Sequence, residues 1–145
     1  CSGKMLLYHL SFSEKRWATG LASLDKSSLQ RQIENGHVEK RANKFGDQLP
    51  ADRTDWISEI ELDVQEINRV IKDECKGRLH LLQIDTEGFD HVLVNALRLD
   101  ELEIQMICFE KLHIPSNALQ PCIERLRNFG YELLESDMDI LACKQ

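Results

Sequence analysis

The spacing of hydrophobic and polar positions changes along this chain, and the informative changes lie in its second half. From Leu79 to Ile84 the run Leu-His-Leu-Leu-Gln-Ile is almost continuously apolar and is closed by Asp85-Thr86-Glu87-Gly88. That is the pattern of a short strand buried on both faces, as in a parallel sheet. After Gly88 the period lengthens. Phe89, Val92, Leu93, Ala96 and Leu97 fall at i, i+3, i+4, i+7 and i+8, which predicts a helix running to about Leu102 with one apolar face. A second apolar strand is predicted from Ile104 to Phe109, closed by Glu110, Lys111 and His113, with Pro115 delaying the next helix. Strand, helix and strand in this order predict a right-handed crossover between parallel strands.

The pattern continues with a helix over Leu119 to Asn128, its inner face carrying Leu119, Ile123 and Leu126, and Gly130 as its stop. Tyr131–Leu134 and Ile140–Cys143 then flank Glu135-Ser136-Asp137-Met138-Asp139, which predicts a terminal hairpin and an antiparallel strand on the sheet. Upstream, Val64 to Lys72 reads as a helix leading through Lys76-Gly77 into the Leu79 strand. Ile57–Leu62 and Met5–Phe12 read as strands. Residues 26–56 are charged, carry Gly36, Gly46 and Pro50, and give weak helical signals around Leu29 to Glu39. They read as a variable insertion or lid.

Composition narrows the function classes. The 145 residues contain 18 basic and 25 acidic side chains, a formal charge of −7. This disfavours a binder of nucleic-acid backbones, which concentrates Lys and Arg, and disfavours acidic substrates. No apolar run reaches the ~20 residues of a membrane span, and there is no secretory leader pattern, so a cytoplasmic setting is expected. The length suits one domain, which would bury roughly two thirds of its unfolded surface. Five cysteines are scattered without the short paired spacings of a zinc site, so no metal ligand is assigned. Cys108 and Cys143, within apolar runs, read as small core residues. Cys1, in place of a starting methionine, reads as the beginning of a fragment.

The candidate chemistry sits where the first apolar strand ends. Asp85 and Glu87 are two carboxylates one residue apart, and on extended backbone the i, i+2 spacing sends both to one side. In open α/β sheets, ligands bind beyond the carboxyl ends of the strands. Gly88 lets the chain turn into the helix without a Cβ above the strand end. If the two apolar strands are neighbours, Glu110 and His113 arrive at the same edge. The alternative uses are structural. Asp85 and Glu87 can cap the following helix and complement its dipole, Glu110 can form a surface ion pair, and His113 can be an ordinary loop histidine. Trp17 and Trp56 can stack on a sugar ring or fill a core. Lys40, Arg41, Lys44 and Arg53 make residues 26–56 loosely basic, as a contact for an acidic acceptor or as a solvated surface.

Leu-Leu-Gln-Ile-Asp-Thr-Glu-Gly-Phe-Asp-His-Val-Leu, residues 81–93, resembles the IDxEG signature of the FkbM family of S-adenosylmethionine-dependent methyltransferases. Ile60-Glu61-Leu62-Asp63 followed by a helix is similar to the short strand and turn that precede that signature. Met106-Ile107-Cys108-Phe109-Glu110 is similar to the strand ending in glutamate that follows it, and Phe129-Gly130-Tyr131 with the hairpin is similar to the family's close. The resemblance covers residues 57–145 well and Lys4–Asp25 loosely. It implies an α/β fold: the C-terminal portion of a Rossmann-like class I methyltransferase sheet, with parallel strands and a terminal antiparallel hairpin. It also implies O-methylation of a small molecule or sugar hydroxyl. In that setting Asp85, Glu87 and His113 are the catalytic candidates, with His113 as general base. Asp85 and Gly88 are the cofactor-side candidates, and Glu87 and Glu110 face the acceptor.

One departure bears on mechanism. The family's cofactor cradle is a glycine-rich turn after its first strand, with an acidic residue ending the second, and neither pattern occurs here. Gly3, Gly20 and Gly36 do not stand between a strand and a helix in Gly-x-Gly spacing. The expectation is therefore a partial domain that lacks the N-terminal cofactor-binding half and is inactive alone. An exposed apolar strand edge in such a piece invites homodimerisation. Two other readings compete. An Asp-x-Glu pair also ligates Mg²⁺ in exonucleases of the DEDD type, although there it opens an antiparallel meander rather than a strand and helix. The chain also fits a non-catalytic, methyltransferase-like binding module.

Overall fold

The computed structural model describes residues 2–144; Cys1, on which the fragment expectation rests, lies outside them. The described residues form two compact units, residues 4–63 and residues 64–144 together with residues 2–3.

β1 (Ser2–Leu10) and β2 (Ile57–Gln65), which lie mostly in the smaller unit, pair as a two-stranded sheet. Between them lie a single-turn helix α1 (Arg16–Thr19), α2 (Lys26–Glu34), α3 (His37–Phe45) and a 3₁₀ turn at Arg53–Trp56. Residues 26–56 thus hold two well-formed helices where the hydrophobic pattern is only weakly helical. Asp25 caps α2 by accepting from the Ser27 amide at 2.9 Å. Gly36, at φ 76°, breaks the run before α3. Alternate polar residues hide the apolar stripe, yet Leu29, Ile33, Val38 and Ala42 close a core with Leu10, Trp17, Leu21 and Trp56. Both tryptophans belong to that core. The indole N–H of Trp17 donates to Asp47 at 2.8 Å, and that of Trp56 donates to the Pro50 carbonyl at 2.9 Å.

The larger unit contains α4 (Ile67–Cys75), β3 (Arg78–Ile84), α5 (Asp90–Ala96), β4 (Glu103–Glu110), α6 (Ser116–Asn128), β5 (Tyr131–Glu135) and β6 (Asp139–Lys144). The sheet order is β3-β4-β6-β5. β3 and β4 are parallel, and β6 runs antiparallel to both β4 and β5. The terminal hairpin is therefore threaded so that β6 lies between β4 and β5.

Register separates the two faces. The rows Leu82–Ile107–Ala142–Leu133 and Ile84–Phe109–Ile140 join Ile71, Val94, Cys122, Ile123 and Leu126 of the helices in one core. The alternate rows, Leu81–Met106–Cys143 and Gln83–Cys108–Leu141–Leu134, are half-buried or exposed, with Leu81 48% and Leu134 67% accessible. This corrects the expectation that β3 is buried on both faces. The helices of this unit cover one face of the sheet, and a continuous apolar run does not disclose that the other face is open. Cys108 and Cys143 stand on that same open face rather than in the core.

Helix ends were displaced from the predicted positions by side-chain caps. β2 continues to Gln65, and α4 starts only after Glu66, whose carboxylate accepts from the Asn68 and Arg69 amides. α5 stops at Ala96, short of Leu102, because buried Asn68 brackets its end. The Asn68 carboxamide donates to the Ala96 carbonyl at 2.9 Å and accepts from the Arg98 amide at 2.7 Å. Arg125 also donates to the Val94 carbonyl at 3.1 Å and to the Leu97 carbonyl, placing a cation at the negative end of the helix. α6 begins directly after Pro115, earlier than expected, since proline suits the entry to a helix.

Candidate active site at the carboxyl edge of the sheet

Parallel pairing of Ile84 with Phe109 brings the ends of β3 and β4 side by side, so the segments that follow each strand meet. The first is Asp85-Thr86-Glu87-Gly88-Phe89. Glu87 adopts φ 52° and Gly88 φ 104°. The left-handed region costs a non-glycine residue about 1–2 kcal/mol, so the fold around Glu87 must hold it there. Lys76 shares this conformation at the end of α4, where it is an ordinary helix terminator. Glu87 has no helix end to explain it.

Asp90 is the residue that holds the turn. It is completely buried. One carboxylate oxygen accepts from the Thr86 hydroxyl at 2.8 Å, the Thr86 amide at 3.3 Å and the Gly88 amide at 3.2 Å. The other oxygen accepts from the Glu110 amide at 3.3 Å. One side chain therefore ties the loop after β3 to the last residue of β4. By its position alone Asp90 is an acid in the first turn of α5, where it complements the helix dipole. An acid two residues after the glycine and four after a threonine was the signal available for its larger role.

His113 lies in the turn after β4. That turn is pinned by the Ile114 side chain in the core and by two backbone bonds, Ile114 amide to Lys111 carbonyl at 3.1 Å and Lys111 amide to Met138 carbonyl at 2.8 Å. The imidazole Nε2 stands 3.4 Å from a Glu87 carboxylate oxygen. Ligand atoms of Glu87, Glu110 and His113 all lie within 4.8 Å of one another. Glu110 is partly buried, and burial pushes its carboxyl up to about 7; the charges of Glu87, Asp85 and Asp90 push the same way, against the opposing effect of His113.

The structure thus unites three of the four titratable candidates. Asp85 is exposed and stands outside the trio. The alternation that was to place it beside Glu87 ends with β3 at Ile84, and the left-handed turn at Glu87 breaks it. Gly88 is buried, with its amide engaged by Asp90. A broad depression lined by Arg78, His80, Glu103 and Lys144 lies where β3 and β4 begin, at the far end from these groups, and it collects no comparable cluster.

The family described as the methyltransferase FkbM domain matches residues 11–133. The chain belongs to the FkbM methyltransferase family. The FkbM match runs through residues 26–56, which carry no readable motif, as well as through the 81–93 signature. Comparison with curated proteins and comparison with solved structures returned no match. FkbM membership supports methyl transfer over phosphodiester cleavage, and helix α5 directly after β3 agrees, since the exonuclease motif opens a meander. No helix among the described residues is long and apolar enough to cross a membrane.

Proposed function

We propose that this chain carries the acceptor side of an S-adenosylmethionine-dependent O-methyltransferase of the Rossmann-like class I type, acting on a hydroxyl of a small molecule or sugar. The observation that carries this reading is the meeting of Glu87, Glu110 and His113 at the carboxyl ends of two parallel strands in a chain of a methyltransferase family. Ligands of open α/β sheets bind at that edge. β6, inserted antiparallel between β4 and β5, suits the terminal hairpin that the class implies.

Among the described residues, no glycine pair forms the turn between a strand and a helix that cradles the methyl donor in the family pattern. Among the described glycines at positive φ, Gly36, Gly46, Gly77 and Gly130 border helices, and Gly88 alone follows a strand, with its amide already bonded to Asp90. The contribution of these residues is therefore on the acceptor side. When bound, S-adenosylmethionine supplies an electrophilic methyl group. The acceptor oxygen must be aligned with it and must lose its proton. His113 serves as the general base and Glu87 orients its imidazole from 3.4 Å. Glu110, poised near neutrality, accepts a hydrogen bond from the acceptor.

The test is transfer of labelled methyl groups to a panel of hydroxyl compounds by the protein as it occurs in its host. His113→Gln and Glu87→Gln should each lower kcat at least a hundredfold while the fold is kept. Undiminished turnover in both variants would remove the assigned roles, and absence of any transfer to hydroxyl acceptors would remove the reading itself. Isothermal titration of these 145 residues with S-adenosylmethionine should give no micromolar binding.

A further inference from the structure

The trio has a property that acceptor binding alone does not require. Its donor set is two carboxylates and one imidazole, contributed by the loop after β3, the last residue of β4 and the turn that follows it. Glu87 and His113 already stand at 3.4 Å, close to the ~3.4 Å that separates two ligands bound tetrahedrally at about 2.1 Å from one ion. The third ligand atom lies within 4.8 Å of both, so closing on a common ion asks for a movement of roughly an ångström, within reach of side-chain rotation.

A second observation is independent of that spacing. Oε2 of Glu110 is shut off from solvent and has no hydrogen-bond partner among the described residues. A desolvated carboxylate oxygen left without a donor is unfavourable. No lysine or arginine among the described residues pairs with Glu110, and its neighbour Lys111 pairs instead with Glu135 at 3.1 Å. Among the described residues, Glu110 thus keeps one solvent-shielded carboxylate oxygen without a donor, on a side chain that stands beside the Glu87 carboxylate and the His113 imidazole.

From this we infer that Glu87, Glu110 and His113 form a binding site for one divalent transition-metal cation of the Mn²⁺ or Zn²⁺ kind. Imidazole among oxygen donors favours these ions, whereas Ca²⁺ and Mg²⁺ prefer all-oxygen shells. Three protein ligands leave positions open for an acceptor oxygen, as in catalytic rather than structural metal sites. That last role rests on the acceptor-site reading above; the binding of the cation does not. With an ion bound, His113 would hold the cation in place of taking the proton, and the cation would acidify a coordinated acceptor hydroxyl so that its proton passes to solvent.

The experiment is titration of chelator-treated protein with Mn²⁺, following free Mn²⁺ by electron paramagnetic resonance, with Zn²⁺ measured by competition and Mg²⁺ run in parallel. The expected result is one Mn²⁺ per chain, bound at least tenfold more tightly than Mg²⁺. Glu110→Gln and His113→Gln should each weaken it tenfold or more, and Asp85→Asn less than threefold. Circular dichroism of each variant checks folding. His113, on a surface turn, provides a variant that keeps the fold if Glu110→Gln does not. No stoichiometric binding at 1 mM Mn²⁺ (on the order of the weakest functional divalent sites), or binding untouched by both substitutions, overturns the inference. Methyl transfer that persists in chelator while Mn²⁺ fails to bind removes the cation and leaves the acceptor site standing. Mn²⁺ binding without methyl transfer does the reverse.

Discussion

Asp90 offers the sharpest test of how the site is held. Replacing it with alanine removes one hydrogen bond at 2.8 Å, from the Thr86 hydroxyl, and three longer ones, from the amides of Thr86, Gly88 and Glu110 at 3.2–3.3 Å. A well-formed bond to a charged acceptor contributes about 1.5–3 kcal/mol and a long one less. Relief from keeping a carboxylate buried offsets part of the loss. The net expectation is about 3 kcal/mol of destabilisation, a large share of the ~5–15 kcal/mol that holds a domain together. In urea, at about 1.5–2 kcal/mol per molar for this size, the midpoint should fall by roughly 1.5–2 M with the slope unchanged. Asp90→Asn should cost about 1–2 kcal/mol, because one oxygen can keep the Thr86 and Gly88 bonds while the amide nitrogen then faces the Glu110 N–H. Exposed Asp85 supplies the control, and Asp85→Ala should stay within about 0.5 kcal/mol. Residue-resolved hydrogen exchange should show faster exchange at the Gly88 and Glu110 amides in Asp90→Ala. If Asp90→Ala unfolds at the same urea concentration as Asp85→Ala, with those two amides unchanged, the assignment of Asp90 as the tie between the loops is wrong.

Other parts of the structure make independent claims. Arg125→Met, which strips the donors from the Val94 and Leu97 carbonyls, should lower stability by about 1–2 kcal/mol, against almost nothing for Arg127→Met on the exposed side of the same helix, measured by thermal melting. In metal-free protein, the Glu110 carboxyl should titrate near 7 by carbon-13 NMR. Because its folded value lies above its unfolded one, the favourable contribution is full below about pH 4.5 and is lost as pH rises through about 7, so stability should decline across that window and flatten there in Glu110→Gln. The Cys122 thiol, pushed up to about 11 by burial, should react with iodoacetamide at pH 8 at least tenfold more slowly than half-buried Cys143 in native protein, and equally fast in urea. Leu81→Lys, on the open face, should change stability by no more than about 0.5 kcal/mol, whereas Ile107→Ala on the covered face should cost about 2–4 kcal/mol.

The two apolar strands, the helix between them, the final helix and the hairpin were legible because each is a local pattern read over six to ten residues, and the matching signature at residues 81–93 pointed to the FkbM family. Residues 26–56 were not legible as two helices. Their apolar positions are few, and what makes Leu29, Val38 and Ala42 core residues is the company of Trp17 and Trp56, which are distant in sequence. Helix boundaries were shifted by Glu66, Asn68 and Arg125, whose capping partners include carbonyls up to 31 residues away.

For the site, sequence alone determined the inventory: carboxylates and a histidine following two apolar strands, in a chain of formal charge −7. Only the tertiary structure decided which of them meet. Parallel register brought Glu110 and His113 to the Glu87 loop, a left-handed residue at Glu87 broke the alternation that would have paired it with Asp85, and buried Asp90 fixed the loop to the neighbouring strand. These outcomes depend on backbone conformation and on hydrogen bonds across twenty residues. No local pattern of hydrophobic and polar positions encodes either.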